Sequence, residues 1–179
     1  NVDINADIWK SADSGTTWTL VKDDYNGADA NNANDMDRNS SGALFVLFNQ
    51  DVWKSDNFGA AWTKINDDYN GVEGQDGELI KIDSNNNLYI IEGDEDIWKS
   101  TDSGSSFSKI TADYNGGASA SNAIGFARNS TNGMFTVDGN SDVWRSNDLA
   151  LNWTLVNDDY NGGNANGAND MVINSTNGL

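Results

Sequence analysis

Asp7-Ile8-Trp9-Lys10-Ser11 returns as Asp51-Val52-Trp53-Lys54-Ser55, as Asp96-Ile97-Trp98-Lys99-Ser100 and as Asp142-Val143-Trp144-Arg145-Ser146. The copies start 44, 45 and 46 residues apart. A period of this size marks one supersecondary unit repeated until neighbours bury each other's faces. Joining Leu179 to Asn1 gives one more interval of 44 residues in the same register. The joined text, NSTNGL (174–179) then NVDINADIWKS (1–11), reads like NSTNGMFTVDGNSDVWRS (129–146). The spacing therefore predicts a closed ring of four units.

Each unit reads as four short strands. In the second, 34–39 (NDMDRN) is the first strand and 44–48 (LFVLF) a continuous apolar run. The third is 51–55 (DVWKS) and the fourth 61–65 (AWTKI), with polar turns between. Such a meander pairs antiparallel. Adjacent apolar residues such as Val52 and Trp53 require both sheet faces to be covered, as a sheet between two others is. The units span about 34–66, 77–111, 122–157, and 168–179 joined to 1–22, within one domain. The last is split between the chain ends, so a first strand at 169–174 and a second at 1–5 complete it, within one molecule or between neighbours.

The turn between the third and fourth strands carries a second signature. It reads SADSGTTW from Ser11, SDNFGAAW from Ser55, STDSGSSF from Ser100 and SNDLALNW from Ser146. Its marked positions are Ser11, Asp13, Gly15 and Trp18; Ser55, Asn57, Gly59 and Trp62; Ser100, Asp102, Gly104 and Phe107; Ser146, Asp148 and Trp153. This S-x-D-x-G-x-x-W pattern resembles the Asp-box, or BNR repeat, of sialidase-like and sortilin-like β-propellers, and the resemblance covers all four units. It implies an all-β, four-bladed propeller of four-stranded antiparallel blades, the last closed by the N- and C-terminal strands. An Asp carboxylate accepts turn N–H groups, Gly permits a positive φ, and Trp anchors the turn. Ala150 replaces the glycine in the fourth copy, which predicts a different turn there.

Composition removes several chemistries. Without Cys or His, the chain has no disulfides, no thiolate chemistry and neither the commonest general base nor the commonest transition-metal ligand. A net charge of −18 repels phosphate backbones and anionic membranes, which argues against nucleic-acid partners. No apolar run approaches the roughly 20 residues of a membrane helix, so no membrane span is expected. The absence of an initiating Met reads as a mature or excised product, and an extracellular or cell-surface location is expected. Sequons at Asn39, Asn129, Asn152 and Asn174 agree weakly with export.

A third repeated motif follows each fourth strand: DDYNG from Asp23, DDYNG from Asp67, ADYNG from Ala112 and DDYNG from Asp158. In meander geometry it shares a face with the turns that end at Asp7, Asp51, Asp96 and Asp142. Asp24, Asp68, Asp113 and Asp159 form a candidate ring of Ca²⁺ ligands, and Tyr25, Tyr69, Tyr114 and Tyr160 a candidate ligand face. The competing reading, which the absence of D-x-D-x-D spacing favours, has Asp and Asn-Gly building a turn over packed tyrosines. Trp9, Trp53, Trp98 and Trp144, with Trp18, Trp62, Phe107 and Trp153, repeat on strands and read as core.

Two functions follow. The first is a non-enzymatic structural or adhesive propeller that binds a glycan or a protein, or self-associates into an array or filament. The alternative is a glycoside hydrolase using paired carboxylates, which needs no histidine. The resemblance implies an arginine triad for sialidase chemistry. Arg38 and Arg128 share one repeat position and Arg145 takes a strand-lysine position, so a triad is not expected. The loop holding Glu73, Asp76 and Glu78 breaks the repeat and is the least symmetric acidic segment.

Overall fold

A computed structural model describes residues 5–27, 33–71, 76–117, 122–160 and 170–173. The described elements are all strands: β1 (Ile8–Lys10), β2 (Thr19–Lys22), β3 (Asp35–Arg38), β4 (Leu44–Phe48), β5 (Asp51–Ser55), β6 (Thr63–Asn66), β7 (Gly77–Ile82), β8 (Leu88–Glu92), β9 (Ile97–Ser100), β10 (Ser108–Thr111), β11 (Ala123–Arg128), β12 (Met134–Asp138), β13 (Val143–Ser146) and β14 (Thr154–Asn157). They form a two-stranded first sheet, β1–β2, and three four-stranded antiparallel meanders, β3–β6, β7–β10 and β11–β14. Among the described residues no helix is long and apolar enough to cross a membrane.

Register explains why the repeat holds. Leu44 lies opposite Ser55 and Phe48 opposite Asp51 in the β4–β5 pair. The β5–β6 pair then slips, with Val52 opposite Asn66 but Trp53 opposite Lys64. Ile65 is the extra residue of a bulge, two residues facing one. The same slip leaves Val21 extra in the first sheet, Ile110 in the third and Val156 in the fourth. A bulge re-aims its residue, and Val21, Ile65 and Ile110 each pack into a cluster between sheets.

Three such clusters make the core, one per seam. Ala6, Ile8, Val21 and Tyr25 meet Val46, Met36, Trp53 and Trp62 at the first. Phe45, Leu47, Val52, Ile65 and Tyr69 meet Ile80, Leu88, Ile90, Trp98 and Phe107 at the second. Ile91, Ile97, Ile110 and Tyr114 meet Phe126, Met134, Trp144, Ala150 and Trp153 at the third. Trp53, Trp62, Trp98, Phe107, Trp144 and Trp153 thus pack at these seams, whereas Trp18, just before β2, is half exposed.

The first strands of successive sheets run side by side, β3 against β7 and β7 against β11. Residues 170–173 have no strand partner among the described residues, yet they lie against β11. A Cβ at Gly125 would come within 2.6 Å of the Met171 amide nitrogen, so only glycine allows that approach. The expected closing strands at 1–4, 169 and 174–179 lie outside the described residues.

Candidate functional site

Each Ser–Asp turn closes on itself. The Ser11 hydroxyl donates to Asp13 Oδ1 (2.8 Å) and accepts the Gly15 N–H (2.7 Å). Asp13 accepts the Thr17 N–H (2.8 Å) and hydroxyl (2.6 Å). Asp102 holds the Ser106 N–H and hydroxyl, and Asp148 the N–H and side-chain amide of Asn152. Asn57 replaces the acid and still accepts the Ala61 N–H (2.8 Å). Trp18, Trp62 and Trp153 donate their indole N–H to the carbonyls of Gly15, Gly59 and Ala150; Phe107 has no such donor.

The side-chain and backbone donors of Thr17, with the Ser11 hydroxyl, hold the Asp13 carboxyl down at about 2. Ser106 and Ser100 do the same for Asp102, and Asn152 and Ser146 for Asp148, each to about 2. Ala150 does not alter its turn, contrary to the expectation from its side chain. It takes φ 70°, beside 88° to 90° at Gly15, Gly59 and Gly104, and its N–H meets Ser146 Oγ at 3.0 Å. The serine bond and the packing of the Ala150 methyl in the third seam offset a left-handed penalty of about 1 kcal/mol.

The DYNG motifs clasp the turn before the third strand, on the shared face expected for them. The N–H groups of Tyr25, Tyr69, Tyr114 and Tyr160 donate to the carbonyls of Ala6, Gln50, Glu95 and Ser141. Asp24, Asp113 and Asp159 donate their N–H to the carboxylates of Asp7, Asp96 and Asp142. Asp24, Asp68, Asp113 and Asp159 all adopt positive φ, from 49° to 66°. These aspartates are turn builders on separate loops, and the structure does not gather them into one cation site. The sole trio of acids with oxygens within 4.8 Å of one another, among the described residues, is Glu92, Asp94 and Asp96. Lys109 is paired to Asp96, and Glu92 is engaged by Tyr69, Asn70 and Trp98.

The tyrosines correct the ligand-face expectation. Tyr25, Tyr69 and Tyr114 are 3 to 5% exposed, so their rings do not face solvent. Each wedges between two aromatics of the next sheet: Tyr25 against Trp53 and Trp62, Tyr69 against Trp98 and Phe107, Tyr114 against Trp144 and Trp153. Burial pushes all three hydroxyl pKa values up. Tyr160 alone is open, at 47%. The sequon asparagines also have structural tasks. Asn39 Oδ1 accepts the Ala43 N–H, Asn129 Oδ1 the Gly133 N–H, and the Asn152 amide donates to Asp148; Asn174 lies outside the described residues.

A polar cavity of about 460 Å³ at the first strands is shared by several sheets. Asn34, Asp35, Glu78, Lys81, Asn122 and Asp170 supply its polar lining, so β3, β7, the start of β11 and the 170–173 segment all reach it. Lys81 donates to Asp35 Oδ2 (2.5 Å), which also accepts the Ile80 N–H (3.1 Å). Asp37 accepts the Ile82 N–H (2.7 Å), while burial raises its carboxyl pKa. The Arg128 guanidinium donates to the Ile82 carbonyl (3.2 Å). Arg38 and Arg145 are exposed on their own strands, β3 and β13. Glu73 lies outside the described residues, Asp76 accepts from Gln50, and Glu78 faces the cavity. Asp35, Asp37 and Lys81 lie on the first strand, which varies most between copies; the signal for them is charge at positions where some copies carry apolar residues, such as Leu79, Ala127 and Val172.

No protein-family model matches the chain, and no curated protein matches it. Solved structures do. A structure of YCF48 bound to D1 peptide aligns with TM-score 0.64 at 17% identity, over 86% of this chain and 49% of that one. The extracellular domain of a putative one component system, BT4673 from B. thetaiotaomicron, gives 0.67 at 9% over 98% of this chain and 23% of that one. The GH74 xyloglucanase from Xanthomonas campestris gives 0.54 at 16% over 86% and 27%. The chain thus spans about half or less of the length of these structures. They are β-propeller proteins, and at such identities the likeness gives the fold: this chain is an all-β, propeller-like stack of antiparallel sheets.

Proposed function

We propose that the chain is a non-catalytic propeller module of four Asp-box blades that works by binding and assembly. Its fourth blade is made from a first sheet and a 170–173 segment, with the chain ends joined between them inside one molecule or between neighbours. The cavity supports this count, because β3, β7, β11 and the 170–173 segment surround one space. One observation carries the non-catalytic reading: the repeated carboxylates of the Ser–Asp turns are bound to donors of their own loops. Such groups stabilise a frame rather than react. The YCF48 structure contains a peptide, and a nidogen/laminin complex is a further neighbour, at TM-score 0.63. An extended protein segment is accordingly the favoured ligand class, ahead of a glycan.

The hydrolase reading rests on the convergence of Asp35, Glu78 and Asp170 on one cavity and on the GH74 neighbour. Against it, Asp35 is already paired with Lys81 and an amide. Incubation with a panel of chromogenic glycosides across the acid-to-neutral range tests both readings. No release above buffer is expected. Release that Asp35→Asn or Glu78→Gln abolishes would overturn the non-catalytic reading.

A further inference from the structure

The three seams share one register, and that register specifies what fits the two faces at the ends of the series. At the first seam, Ile8 Cγ2 and Val21 Cγ1 lie 2.9 and 3.7 Å from where a Cβ on Gly59 would sit. At the second, Ile65 Cδ1 and Val52 Cγ1 lie 2.6 and 3.7 Å from the same point on Gly104. The bulge residue and its third-strand neighbour thus press on the glycine turn of the next sheet, and the DYNG tyrosine wedges between two aromatics beside it. A polar link completes the pattern: Asn66 Nδ2 donates to the Ser105 carbonyl (3.0 Å), and Thr111 Oγ1 to the Ala150 carbonyl.

The fourth sheet carries the pressing half without a mate. Its equivalents are Val143, Val156 and Tyr160, with Asn157 in the register of Asn66 and Thr111. Val137, Val143, Val156, Asn157, Tyr160 and Met171 line an apolar cavity of about 420 Å³, and Val156 is 51% exposed. The first sheet carries the receiving half. Among the described residues, no atom lies within 4 Å of a Cβ placed on Gly15, unlike at Gly59 and Gly104. Trp18, in the register of Trp62 and Trp153, is 49% exposed.

We propose that the Val156–Tyr160 socket takes the Gly15–Trp18 face of a second copy of this chain, head to tail. The occupant follows from continuity with the three seams, since a face with an open Ser–Asp turn and an aromatic ring beside it repeats their contacts. Among the described residues both halves stand open in one and the same chain, and in this proposal the fourth seam is made between molecules. Socket and mate are different surfaces, so the contact is heterologous, and each copy added presents a fresh socket. With −18 charges per copy, association strengthens with salt as repulsion is screened. This rests on the four-blade reading, with the 170–173 segment of one copy and the first sheet of its neighbour as the two parts of each split blade.

Two surface variants test it by sedimentation velocity. Val156→Asp removes the socket and leaves the mate; Trp18→Asp does the reverse. Both sites are half exposed, and an unchanged circular dichroism spectrum confirms each fold. Wild type is expected to sediment as a concentration-dependent series of species, and each variant as a monomer. An equimolar mixture of the two is expected to give a capped dimer and nothing larger. Wild type that stays monomeric at the highest soluble concentration and in high salt, with a mixture that stays monomeric too, would overturn the proposal. That outcome leaves the four-blade reading standing with its seam closed inside one molecule, whereas glycoside turnover would sink the non-catalytic reading without changing any mass.

Discussion

The Glu92 carboxylate accepts the Tyr69 hydroxyl at 2.9 Å across the second seam, and its other oxygen accepts the Trp98 indole N–H at 2.8 Å. One buried acid thereby satisfies both polar atoms of an aromatic wedge. At the first seam the wedge is Tyr25 with Trp53, but the register of Glu92 is occupied by Phe48. There the Tyr25 hydroxyl and the Trp53 N–H are buried without a hydrogen-bond partner.

Removing the hydroxyl should therefore have opposite consequences at the two seams. Tyr69→Phe loses a hydrogen bond to a charged group, a loss of about 1.5–3 kcal/mol. Tyr25→Phe removes a buried hydroxyl that nothing satisfies and is expected to be neutral or stabilising by up to about 1 kcal/mol. Urea unfolding with a shared m-value measures both. Equal losses in the two variants would show that the wedges are not energetically distinct.

The Ser–Asp turns set a pH dependence whose sign is fixed. Asp102 and Asp148 have carboxyls held at about 2, below an unfolded value of roughly 3.9. Their contribution is complete above the unfolded value and is lost as pH falls through the folded one. Asn57 occupies the same position without a proton to gain, so the second turn should keep its amide protection through this range. Asp102→Asn is expected to remain folded at neutral pH and to flatten the acid limb of the melting-temperature curve between pH about 4 and 2. An acid limb identical to wild type would separate the turn from acid stability.

Strands and turns were legible because they repeat. The sequence places strands at 44–48 and 51–55, and the structure has them at Leu44–Phe48 and Asp51–Ser55. The fourth strand runs Thr63–Asn66 rather than 61–65, because Ala61 belongs to the Ser–Asp turn through its N–H bond to Asn57. Tyr25, Tyr69 and Tyr114 were harder to place, since a loop tyrosine looks the same whether it faces water or wedges under the next sheet. The cavity was not legible at all. It depends on Asp35 and Lys81, on the variable first strands, and on Asp170 in the 170–173 segment, which meet only after the sheets stack.

Glycines in the turn differ by what faces them. Gly15→Ala adds only a left-handed penalty of about 1 kcal/mol, since no described atom lies within 4 Å of its new methyl. Gly104→Ala carries the same penalty and also drives the methyl to 2.6 Å from Ile65 Cδ1, adding about 1–3 kcal/mol of overpacking. Thermal melts at low protein concentration are expected to rank Gly104→Ala well below Gly15→Ala. The reverse order would mean that the seam at Gly104 is loose.

Asp35 and Asp37 act as side-chain substitutes for a missing strand. The Ile80 and Ile82 amides lie on the edge of β7 that faces β3, and the two carboxylates accept their N–H groups. Asp37→Ala leaves the Ile82 amide without its acceptor, a loss of about 1–3 kcal/mol confined to that edge. Asp35→Ala also frees the Lys81 ammonium beside the cavity. Hydrogen exchange resolved by residue is expected to show faster exchange at Ile82 in the first variant and at Ile80 in the second. The Ile90 amide, on a strand paired on both sides, serves as the reference and should exchange as in wild type. Uniform acceleration across β7 and β8 would mean that the carboxylates hold the whole sheet in place rather than its exposed edge.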